Sequence, residues 1–104
     1  MMRGTTPIIS YTFHTIDVED IAVIYLTLQQ GGVKVERDIT TATVETSQTV
    51  GKISWKLTQE ETLKFLQSKA LVQIQIRYRL VDGTAGGSKI SQVDPQAILK
   101  DGVI

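Results

Sequence analysis

Hydrophobic and polar residues take turns along most of this chain. Val72, Ile74, Ile76, Tyr78 and Leu80 alternate with Gln73, Gln75, Arg77 and Arg79 without interruption, the two-residue period of a strand with one buried face. The same period sets Ile9, Tyr11 and Phe13 against Ser10, Thr12 and His14. It recurs with Val33, Val35, Arg37 and Ile39 against Lys34, Glu36 and Asp38, and with Ile53, Trp55 and Leu57 against Lys52, Ser54 and Lys56. The run 21–30 differs. Ala22, Ile24, Leu26 and Leu28 line one side, while Ile21, Val23 and Tyr25 start the other. A strand apolar on both faces is expected to be central in its sheet, its outer side covered by a loop, a terminus or a neighbouring subunit. The Thr-rich stretch 40–47 predicts a short edge-like strand. Residues 85–93 predict a weaker strand with a bulge near Gly86–Gly87.

Turn chemistry separates these segments. Gly31-Gly32 accepts the positive φ of a tight hairpin, Gln48 to Gly51 makes a turn, and Asp82-Gly83 is a strong turn dipeptide. One segment breaks the β pattern. Thr58-Gln59-Glu60-Glu61 matches a capping box, with Thr58 and Glu61 able to bond each other's backbone amides. The good helix formers that follow predict a short helix around 59–66, with Leu63 and either Phe65 or Leu66 pointing inward. Asp94-Pro95 suits a helix start, so 95–100 is either a helical turn or an extended strand. These elements predict an all-β fold: an antiparallel, immunoglobulin-like β-sandwich of about seven strands with one short helix. Trp55 is the expected large core residue between the sheets. The domain is expected to span 1–104, with 1–7 and 101–104 as flexible tails.

Composition narrows the function classes. Hydrophobic residues make up 41% and charged residues 21% of 104, the balance of a globular domain rather than a disordered chain. Eleven basic and eleven acidic side chains cancel, which removes any general attraction for nucleic acid or an anionic membrane. A neutral surface protects poorly against self-association, so an assembled state is favoured. Without cysteine there is no disulfide, thiolate zinc site or thiol nucleophile. No segment has signal-peptide or transmembrane length. The chain is therefore expected to stay in the cytoplasm where it is made, or to leave it only when the cell bursts.

Candidate chemistry is sparse. His14 is the only histidine and has no partner for a nucleophile–base pair, so it reads as a surface residue and no catalytic residue is assigned. Asp17, Glu19 and Asp20 are oxygen donors suited to calcium, but they lack the glycine and distal glutamate of a calcium loop. They read as solvated loop charges, and no metal or cofactor is expected. GTAGG at 83–87 has no Lys-Ser/Thr pair or long helix after it to hold a phosphate. Lys52, Lys56, Arg77 and Arg79 share the outward parity of two strands that could be neighbours. A basic stripe binds single-stranded nucleic acid when aromatics interleave to stack on bases. Here Gln and Ser occupy that parity, while Trp55 and Tyr78 point inward. The alternatives for the Gln/Arg side are therefore a solvated face or a protein-contact face.

Certain stretches together resemble a known group. MRGTTP at 2–7, the early YTF strand, KLTQEETLKF at 56–65, VQIQIRYRLVDGT at 72–84 and the ending ILKDGVI resemble small tail-module and structural proteins of phages and prophages of Gram-positive bacteria. The order of strand, LT-type helical turn, strand and D-G hairpin is similar to the immunoglobulin-like N-terminal domain of the phage baseplate upper protein. The central stretch TTATVETSQTVGK departs from that pattern, and a single domain without an extension for a receptor-binding head is expected. The resemblance implies a non-enzymatic adaptor or decoration in the tail or baseplate region of a virion. Its expected partners are other virion proteins and itself as a homo-oligomer, with neither nucleic acid nor membrane. The expected contact face is Gln73, Gln75, Arg77 and Arg79, with Ile21, Val23 and Tyr25 if that outer side is uncovered. The rival is a small-ligand or carbohydrate-binding module, which needs an exposed aromatic platform beside polar groups.

Overall fold

The alternating segments become strands in the computed structural model, which describes residues 1, 3–14, 16–46, 51–65, 71–93 and 103–104. The strands are β1 (Ile8–Phe13), β2 (Ile21–Gln30), β3 (Val33–Asp38), β4 (Thr43–Thr46), β5 (Gly51–Lys56), β6 (Val72–Leu80), β7 (Ala85–Gly87) and β8 (Ser91–Val93). The one α-helix among the described residues, α1, is Gln59–Leu63. Short 3₁₀ turns at Val18–Asp20 and Ile39–Thr41 complete the described elements. All pairings among the described residues are antiparallel. One sheet has the order β1-β5-β4; the other runs β3-β2-β6-β7, with β8 also on β6.

The chain changes sheet between β1 and β2, between β3 and β4, and between β5 and β6, while the hairpins stay within a sheet. That is the Greek-key wiring of an immunoglobulin-like sandwich, its first strand missing among the described residues. β2 is central, flanked by β3 and β6, as its apolar run requires. Its inward side chains Ile24, Leu26 and Leu28 meet Phe13, Ile53 and Trp55 from the facing sheet in one apolar cluster that also takes in Val35, Val72 and Ile76. Trp55 has no exposed surface. Its indole N–H donates to the Asp38 carbonyl at 2.9 Å, so the large apolar ring is buried without an orphaned donor. Each such fully buried side chain stabilises the fold by about 2–3 kcal/mol.

Helix α1 plugs one end. Thr58 Oγ1 accepts from the Glu61 amide at 3.1 Å and Glu61 Oε1 accepts from the Thr58 amide at 2.9 Å, the reciprocal box read from the sequence. Phe65 and Thr62 are fully buried and Leu63 is half-buried, so Phe65 is the inward plug. The N-terminal residues lie against this plug: Arg3 Nε donates to the Phe65 carbonyl at 2.6 Å, and Thr62 Oγ1 donates to the Thr5 carbonyl at 2.9 Å.

Several local features differ from the periodic reading. The helix is shorter than 59–66; Leu66, the greater part of the turn before Gly51, and the segment starting at Asp94-Pro95 lie outside the described residues. In β2 the register against β6 slips between Ile21 and Val23. The extra residue, Ala22, is turned out to solvent, and Ile21 packs against the core instead. Strict alternation had placed Ala22 inward and Ile21 outward; a bulge swaps them. Gly86 and Gly87 pair regularly with Tyr78 and Arg77. The extra residue on that side falls in 88–90, between β7 and β8. Ser88 bridges the gap there, its hydroxyl accepting from the Ile76 amide at 2.9 Å.

Candidate functional site

Because β6 and β2 bury one parity against the facing sheet, their other parity forms a continuous outer face. Val23, Tyr25, Thr27 and Gln29 of β2 pair across with Arg79, Arg77, Gln75 and Gln73 of β6. On the far side of β2, Lys34 and Glu36 of β3 stand opposite Gln29 and Thr27. All the expected contact residues except Ile21 fall on this face. Ile21 lies instead at a separate apolar cleft of about 340 Å³ that includes Val18, Ile39 and Val44.

The face is uneven rather than flat. A shallow groove of about 400 Å³ runs between Val23, Tyr25, Arg77, Arg79 and Glu36. A second depression of about 260 Å³, lined by Gln73, Gln75, Gln29 and Ile90, continues from it through Thr27, Lys34 and Arg77. Tyr25 is 45% exposed in its centre, although its strand is central, so no described element covers β2 from outside. Of the polar side chains, Gln75 donates to the Ser88 carbonyl at 3.3 Å and is half-buried. Lys34 makes an ion pair with Glu36 at 3.5 Å, both largely exposed. Arg77 and Arg79 are exposed and make no ion pair among the described residues. The result is an exposed tyrosine flanked by two uncommitted guanidinium groups and a glutamine row. Arginine and tyrosine are over-represented at protein contacts because each offers a large planar surface with directional hydrogen bonds.

One sequence expectation changes here. Lys52 and Lys56 lie on β5, in the three-stranded sheet, whereas Arg77 and Arg79 lie on β6, in the five-stranded sheet. Both pairs point outward, but on opposite sides of the sandwich, so the four do not form one basic stripe. Parity specifies which way a side chain faces within its sheet, and it says nothing about which strands share a sheet. Arg37 stands on the apolar side of β3, as its parity predicts, and its partner comes from another element. Its Nη1 meets Glu61 Oε1 at 2.6 Å, its Nε donates to Thr41 Oγ1 at 2.8 Å, and both ion-pair side chains are only 16% exposed. This partly buried pair ties β3 to the cap of α1.

No family model, curated protein or solved structure matches this chain.

The remaining candidates lie apart from the face. His14 is exposed at the end of β1. Asp17 accepts from the Glu19 amide at 3.2 Å and caps a 3₁₀ turn. No group of three or more His, Cys, Asp or Glu stands in metal-binding array among the described residues. No helix among them is long and apolar enough to cross a membrane. Two carboxylates have lowered pKa values, both through local turns. The Thr40 hydroxyl and amide hold Asp38 down, and the Thr84 amide and hydroxyl hold Asp82 down.

Proposed function

We propose that this protein is a non-enzymatic structural component of a phage or prophage virion, an adaptor or decoration in the tail or baseplate region that works by contact alone. The observation that carries this reading is the uncovered outer face of the five-stranded sheet, with Tyr25 exposed between Arg77, Arg79 and the Gln73–Gln75 row. A central strand with an apolar and aromatic outer side is expected to be covered in the working state, and the groove supplies hydrogen-bonding arginines at its margin. The resemblance of MRGTTP, LTQEET and VQIQIRYRLVDGT to phage tail-module proteins supplies the setting. Its partners on this reading are other virion proteins and further copies of itself, and it resides in the virion or in the host cytoplasm during assembly.

The test is mass spectrometry of particles purified after induction of the strain that carries the gene. The protein is expected among the stoichiometric particle components, and its absence from every particle preparation would overturn the assignment. A carbohydrate-binding module is favoured by one observation, the single exposed ring of Tyr25 beside polar groups in the groove. Phe13, Trp55 and Phe65 are buried, and Tyr11 and Tyr78 join Phe13 in a packed aromatic cluster, so the platform has one ring. Binding on a glycan array abolished by Tyr25→Ala would select this reading; an array without hits removes it.

A further inference from the structure

The strands at the sheet margins are not protected alike. β3 carries Lys34, Glu36, Arg37 and Asp38, β4 is short and carries Glu45, and β7 is short with two glycines. Charge and brevity both discourage a foreign strand from pairing. β1 has neither protection. Among the described strands it is the end strand of its sheet, and its sequence IISYTF contains no charge, proline or glycine.

The hydrogen-bond phase of β1 shows which groups are open. Leu57 N donates to the Pro7 carbonyl at 2.9 Å, and Ile9, Tyr11 and Phe13 stand opposite Trp55, Ile53 and Gly51. By the alternation of antiparallel ladders, these odd positions exchange bonds with β5. The N–H and C=O groups of Ile8, Ser10 and Thr12 therefore point away from the sheet. All three residues are exposed, and no backbone bond from that side is made among the described residues.

We infer that a second copy of this chain pairs along this edge, antiparallel to the first, joining two β4-β5-β1 sheets into one continuous sheet. The strand is complementary to itself about Ser10. A two-fold axis at Ser10 sets the open amides and carbonyls of Ile8, Ser10 and Thr12 against those of Thr12, Ser10 and Ile8 of the other copy. On the inner side the same register sets half-buried Ile9 against half-buried Tyr11, an aromatic–β-branched pair of the favourable kind, and on the outer side it sets Ile8, 65% exposed, against Thr12. No like charges meet across this seam, and the chain's charges balance. The seam pairs residues 8–12 of the six-residue strand, so the association is weak and concentration-dependent. The inference deepens the proposed assembly role and rests on it only for the use of the dimer; the seam lies on the opposite sheet from the Gln/Arg face.

Sedimentation equilibrium from about 10 μM to about 1 mM tests it. The protein is expected to pass from monomer to dimer over that range. Ser10 is exposed, and Ser10→Lys or Ser10→Glu sets like charges opposite each other only in the self-paired seam. Each variant alone is expected to lose up to about fivefold in self-association. An equimolar mixture of the two is expected to recover the dimer, which also demonstrates that both fold. A chain that stays monomeric at the highest concentration, undiminished dimers in either variant, or a mixture that fails to recover would each overturn the inference. Arg77→Glu/Arg79→Glu is expected to leave the dimer intact, so failure of the seam and failure of the outer face are read separately.

Discussion

At the level of single residues, the polar groups that matter most to folding are those half-removed from water. Arg37 lies on the apolar side of β3 and is held by Glu61, Thr41 and the Lys56 carbonyl. Removing one partner leaves the other charge short of its bonds in a largely enclosed site. Arg37→Met and Glu61→Gln are each expected to cost about 2 kcal/mol in urea unfolding, and the double variant clearly less than the sum, as a double-mutant cycle would show. The Thr58–Glu61 box was legible because both members lie within one local motif. Arg37 was legible only as an inward-parity charge, since its partner comes from a different element 24 residues away. Asp38 and Asp82 give the pH dependence. Thr40 and Thr84 bond the ionised carboxylates, so each folded-state pKa lies below the unfolded value of about 3.9. Their stabilisation is complete above that value and fades as pH falls through the lower, folded one. Thermal midpoints are expected to drop between about pH 5 and about pH 2, and to drop less in Asp38→Asn/Asp82→Asn.

Among the elements, the β2–β3 hairpin shows how backbone geometry separates neighbouring identical residues. Gly31 has φ +55°, whereas Gly32 has no positive φ, and neither would meet a neighbour with an added Cβ. Gly31→Ala is expected to cost about 1 kcal/mol, and Gly32→Ala to lie within about 0.5 kcal/mol of wild type by thermal or urea unfolding. Equal effects at both positions would contradict the assigned turn. Periodicity was sufficient to read β1, β3, β5 and β6 and the central place of β2, because each buries one parity against a single facing sheet. It missed the bulge at Ala22 because an inserted residue shows only as a fault in a pairing, and the pairing partner is remote. Gly86 invited a bulge reading from its lack of a side chain. Its role is different: an added Cβ would stand 2.5 Å from the Tyr78 ring, so glycine there makes room for the aromatic cluster.

For the whole molecule, the partition of strands between sheets decides what the surfaces can do. The sequence reading grouped Lys52 and Lys56 with Arg77 and Arg79; the Greek-key wiring sends the two pairs to opposite sides. What is left is one face with tyrosine, arginine and glutamine uncovered, and one uncharged strand edge on the other sheet. Both surfaces suit contact. The most direct measurement is incorporation into particles by complementation, comparing wild type with Arg77→Glu/Arg79→Glu at matched expression and verified folding. Wild type is expected to copurify with the particles while the charge-reversed protein stays in the unassembled fraction. Equal incorporation of both proteins would contradict the assignment of the outer face as the contact surface.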